Sequence, residues 1–99
     1  MTSALIFHTI RSMKILEIRN IIKKDLPLHY RNEFSGSLVY ETLTKKKEEK
    51  RVEFTLEKNA LGKVDVKVNI LEEIDYPLIP AINSLKTYIL DMQKKGQIF

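Results

Sequence analysis

The chain has no cysteine. That single absence removes disulfides, thiolate metal sites and cysteine nucleophiles together, and it fits a reducing compartment. Glycine is scarce: Gly36, Gly62 and Gly96 are the only three, too far apart for a G-x-G-x-x-G dinucleotide loop or a G-x-x-x-x-G-K phosphate loop. Ser35 and Ser37 flank Gly36 but lack the G-x-S-x-G setting of a nucleophile elbow. The two histidines, His8 and His29, stand alone without H-x-H or H-x-x-x-H spacing, so they read as surface or structural residues. No apolar run approaches the ~20 residues of a membrane span. The short stretch at residues 4–7 has no preceding basic residues and is too brief for a signal segment. These absences predict a cytoplasmic, non-enzymatic protein with no cofactor, no metal, no membrane association and no evident small-molecule substrate.

What is present begins with residues 51–71. Two runs, Val52-Glu53-Phe54-Thr55-Leu56-Glu57 and Val64-Asp65-Val66-Lys67-Val68-Asn69-Ile70, alternate apolar and polar residues around the turn at residues 58–63. Period-two alternation places Val52, Phe54, Leu56, Val64, Val66, Val68 and Ile70 on one dry face, which predicts a β-hairpin. Residues 37–45 form a further strand candidate with poor alternation, as expected of a central strand covered on both faces. Residues 45–50 (KKKEEK) are too polar to bury and read as the loop between these strands.

Residues 12–26 carry Ile15, Ile18, Ile22 and Leu26 at helical spacing, with Pro27 as a stop, and predict a first helix. Residues 28–36 read as an irregular connection. A last helix opens at Asp75-Tyr76-Pro77, tolerates Pro80 in its first turn, buries a stripe of Ile82, Leu85, Ile89 and Met92 widened by Leu78, Ala81 and Tyr88, and stops at Gly96. At 99 residues the chain makes one domain. Residues 1–12 serve as an extension or an extra strand, and Met13 is a plausible alternative start. The expected fold is a two-layer α+β domain of order α-β-β-β-α, a three-stranded antiparallel sheet with its helices on one face.

The net charge of +4 is unevenly spread. Residues 11–26 and 45–51 each hold five bases against two acids, whereas residues 52–75 hold three bases against six acids. Clustered bases contact phosphate, so the candidate nucleic-acid contacts are Lys45, Lys46, Lys47, Lys50 and Arg51, then Lys23 and Lys24, then Lys94 and Lys95. The wet face of the hairpin, with Glu53, Thr55, Glu57, Asp65, Lys67 and Asn69, offers no aromatic on which a base could stack. Glu72, Glu73 and Asp75 read as acids complementing the positive N-terminus of the last helix rather than as a cation site. Ile79 and Leu90 share a wheel position about 100° from the main stripe, at 3.6 residues per turn, and are candidates for a partner contact, such as a homodimer or another protein.

The expected α-β-β-β-α order is that of double-stranded-RNA-binding domains. The GPxH-like loop and the KKxAK helix start that mark those domains are missing, and the last helix begins Tyr76-Pro77-Leu78-Ile79-Pro80 instead. The segment Ile82-Asn83-Ser84-Leu85-Lys86-Thr87-Tyr88-Ile89 resembles the last-helix pattern of the small dimerising subunit of the KEOPS tRNA-modification complex. That resemblance covers eight residues and implies a non-catalytic dimerisation scaffold. The family's Pro-Asp-bearing first connection is not visible, and this chain has one strand too many between its helices. Taken together, the residues predict a non-catalytic subunit that binds RNA or joins a ribonucleoprotein through basic helix and loop surfaces. The alternative is a homodimeric interaction module using its C-terminal helix or a strand edge.

Overall fold

The structure is a computed structural model and describes residues 13–25, 31–42 and 44–98. Among the described residues, four strands, β1 (Lys14–Lys23), β2 (Arg31–Glu41), β3 (Lys47–Lys58) and β4 (Val64–Ile70), are followed by one helix, α1 (Leu78–Lys94). The strands lie in the order β1-β2-β3-β4, each antiparallel to its neighbours, so the sheet is a simple meander with β1 and β4 at its edges.

The predicted hairpin is present. Val52, Phe54, Leu56 and Val66 are buried on one face, and Val64, Val68 and Ile70 pack at the margin of the same core. Its turn is held by Asn59, whose side-chain oxygen accepts hydrogen bonds from the backbone N–H groups of Leu61 and Lys63. Gly62 takes the left-handed conformation at φ 82°.

The sheet has four strands, not three, because residues 14–23 form β1 and not a helix. The cause is visible in the register. The β1–β2 pairing slips between Ile15 and Glu17 and again between Arg19 and Ile22, where Asn20 adopts φ 54°. A bulge adds one residue to one strand and resets the alternation. Two bulges in succession bring Ile15, Ile18 and Ile21 to the core at intervals of three, which mimics a helical period. Ile22, counted in the helical stripe, is 63% exposed.

Three further boundaries move. The supposed irregular segment belongs to β2 from Arg31 onward, and β2 ends at Glu41 rather than in the lysine run. The loop between β2 and β3 is shorter than residues 45–50, since β3 begins at Lys47. As its poor alternation implied, β2 is central: Leu38, Val39 and Tyr40 are buried in succession, with Leu38 and Tyr40 in the core and Val39 on the opposite face. The expectations for residues 1–12, His8, His29, Leu26, Pro27 and Leu43 lie outside the described residues.

α1 begins after Pro77 with Pro80 in its first turn, where a missing N–H costs nothing. Ala81, Leu85 and Ile89 are fully buried against the sheet. The helix ends in a Schellman arrangement: Gly96, at φ 71°, donates to the Gln93 carbonyl and Gln97 to the Met92 carbonyl. It packs chiefly over β4 and reaches the start of β1, where the Met13 N–H donates to Ser84 Oγ at 3.1 Å.

Candidate binding surface

The sheet has one face under α1 and one face open. On the open face opposite charges alternate and pair. Arg19 lies 3.2 Å from Glu17 and 3.4 Å from Glu49. Lys24 lies 2.9 Å from Glu53, and Arg31 lies 3.2 Å from Glu33. The hydrogen bond and charge of Glu53 raise the Lys24 pKa, as those of Glu17 raise that of Arg19. Each such pair neutralises a base that would otherwise meet phosphate.

The predicted basic residues are not brought together as one patch. Lys45 and Lys46 sit at the tip of the β2–β3 hairpin and Lys47 at the first position of β3. Thr42, buried at the base of the tip, organises it. Its N–H donates to the Lys46 carbonyl at 2.7 Å, its carbonyl accepts from the Lys45 N–H at 2.9 Å, and its hydroxyl accepts from the Lys46 N–H at 3.1 Å. Lys45 takes φ 65°, so the chain reverses tightly and leaves all three lysines exposed. Among the described residues, none of the three has a carboxylate within 4 Å. The rest of the run diverges. Lys50 has the parity of Val52 and Phe54, so it stands on the helix side of the sheet, half-buried. Arg51 is on the open face, 3.8 Å from Glu72, whose carboxylate also accepts the Arg51 backbone N–H at 2.7 Å. Glu72 therefore caps β3 instead of attending the helix, and the first turn of α1 contains no acid.

Lys23 pairs with Phe34 in register whereas Lys47 pairs with Glu41, seven residues along β2. At about 3.4 Å per residue, the two basic groups are roughly 24 Å apart. Lys23 lines a small cleft with Gly96, Gln97 and Ile98, so the basic end of α1, with Lys94 and Lys95, lies at its end of the sheet. Lys95 is engaged by Asp91 at 2.9 Å, which raises its pKa.

The proposed partner residues separate as well. Ile79 is 73% exposed, beside exposed Leu78, whereas Leu90 packs against the core. Sequence reasoning missed a groove of about 770 Å³ between β1 and α1, walled by Met13, Ile15, Ser84, Tyr88 and Asp91 among others. Its visibility depended on recognising β1 as a strand. Among the described residues, no three acidic or histidine side chains converge to hold a metal ion, and no helix is long and apolar enough to cross a membrane.

The fold and surface define a class: a four-stranded antiparallel meander with one covering helix, an ion-paired open face and a lysine-tipped hairpin. The chain belongs to the BB_0187 family, whose model matches residues 10–94. No curated protein and no solved structure matches it.

Proposed function

We propose that this protein is a non-catalytic RNA-binding or ribonucleoprotein-associated subunit that meets phosphate with the β2–β3 hairpin tip. The observation that carries the reading is the tip itself. Lys45, Lys46 and Lys47 are adjacent, exposed and without carboxylate partners among the described residues, on a molecule where many other bases are ion-paired. Lysines held on a tight, internally hydrogen-bonded turn present fixed point charges to a phosphate backbone. The open sheet face, alternating in sign and without a stacking aromatic in its hairpin half, supports backbone contact over base reading. Lys23 and Lys94 at the far end give a weaker second contact.

Anisotropy titration of labelled mixed-sequence RNA at two salt concentrations tests this. Three phosphate contacts on single strands give a log–log slope near −2, so affinity falls roughly 20-fold between 50 and 200 mM salt. Alanine at positions 45, 46 and 47 together removes most of the binding, whereas alanine at 23 and 94 leaves most of it. Absence of binding at low salt, or a triple variant that binds like the parent, sinks the proposal.

A further inference from the structure

We infer that the β4 edge is a self-association site at which a second copy of this chain adds antiparallel, centred on Val66, to make one eight-stranded sheet. The turn bond from Asn59 N–H to the Lys63 carbonyl and the bond from Leu71 N–H to the Arg51 carbonyl, both 2.9 Å, fix which β4 residues face β3. Hydrogen-bonded pairs alternate along an antiparallel ladder. Asp65, Lys67 and Asn69 therefore spend their backbone groups on β3. Val64, Val66, Val68 and Ile70 direct theirs to the free edge, which no other described strand covers. This edge is regular, without proline or register slip, whereas the opposite edge, β1, is interrupted by two bulges. Bulges blunt an edge against pairing, and a regular uncovered strand invites it.

The charges select the occupant. On the open face Asp65 and Lys67 have no ion pair among the described residues, unlike their counterparts on β1 and β2, and Asp65 sits opposite Glu57, a like charge. A two-fold pairing that keeps the apolar faces together must be centred on a residue. Centring on Asp65 or Lys67 sets like charges against each other. Centring on Val64 pairs mostly the turn, and centring on Val68 leaves Lys67 opposite Asn69. Centring on Val66 alone pairs strand with strand and places each Asp65 opposite the other copy's Lys67. In that register Val66 bonds to its own copy and Val64 to Val68, which are the residues with free backbone groups. The Asp65–Lys67 pairs fall at the non-hydrogen-bonded positions, where side chains approach closest. The valines join the two cores on the helix side, and both α1 helices lie on the same face.

Sedimentation velocity on the full chain over a concentration series tests this, with D65K, K67D and the double variant D65K/K67D. The parent forms dimers. Each single reversal sets two like-charge pairs at the seam and weakens dimerisation by on the order of tenfold or more. The double reversal restores opposite pairs and returns affinity to near the parent value. Both positions are exposed, and a thermal melt of each variant verifies its fold. A parent that stays monomeric at the highest attainable concentration, a dimer indifferent to the single reversals, or a double variant as weak as the singles overturns the assignment.

Discussion

Phe34 and Phe54 face each other across β2 and β3, with ring centroids 5.0 Å apart and planes 15° from parallel. Both are almost wholly buried. The stack ties the two central strands together beneath α1, where a missing ring leaves a void that neighbouring strands cannot fill without breaking register. Phe54→Ala is expected to cost about 3–5 kcal/mol of unfolding free energy, read by urea denaturation. A loss under about 1 kcal/mol, the scale of an average surface effect, contradicts that account.

Gly36 lies opposite the second bulge of β1. A Cβ there meets the Arg19 carbonyl oxygen and Ile18 Cγ2, each at 3.1 Å. The bulge presses the β1 backbone toward β2, and only a missing side chain accommodates it. Gly36→Ala is expected to destabilise by roughly 1–3 kcal/mol through overpacking, and Gly36→Val by more. Amide hydrogen exchange should show the loss of protection concentrated in residues 17–22.

Tyr40 is buried with its hydroxyl near the loop before α1. Burial raises its pKa above 10.0, the charge of Glu48 raises it further, and the Asp75 backbone partly opposes this. Burial alone raises that of Tyr76. The folded state therefore holds these protons more tightly than the unfolded chain. Their contribution is fully present below the unfolded value near 10 and is lost as pH climbs from there through the folded values. Stability should be flat in this respect at neutral pH and fall in the alkaline range. Tyr40→Phe should flatten that fall in melts run from pH 8 to 11, about the range spanned by a tyrosine's titration.

The β3–β4 turn depends on a side chain and a backbone angle. Asn59→Ala removes two hydrogen bonds to turn N–H groups, at a cost of about 1 kcal/mol for exposed groups. Gly62→Ala meets no atom within 4 Å, so its cost of roughly 1–2 kcal/mol is the left-handed conformation alone. The two effects share one turn and should sum to less than their separate values. Equal additivity in denaturation experiments speaks against a common origin.

The parts of the fold that could be read from the residues are those with undisturbed periods. Val52 to Leu56 and Val64 to Ile70 alternate without interruption, and both strands appear where the alternation places them. The stripe Leu85–Ile89 and the stop at Gly96 locate α1. β1 was hidden because its bulges convert a period of two into a spacing of three, although four isoleucines in ten residues are a β-branched signal that favours a strand. The lysine run was legible as a basic element but not as a divided one. Its division arises from strand parity, which sends Lys50 and Arg51 to opposite faces once Lys47 begins β3. The pairing of Glu72 with Arg51 joins residues 21 apart and has no local trace.

The two ends of the sheet obey different rules, and that inequality sets a limit on growth. A sheet with two receptive margins recruits copy after copy and runs on into a fibre. Here one margin is irregular, with the left-handed Asn20 at its second break, while the other is straight. Once two straight margins have met, only the irregular ones remain outward. Assembly by this route terminates at a pair, and the lysine tips of that pair sit at opposite corners as two separated handles.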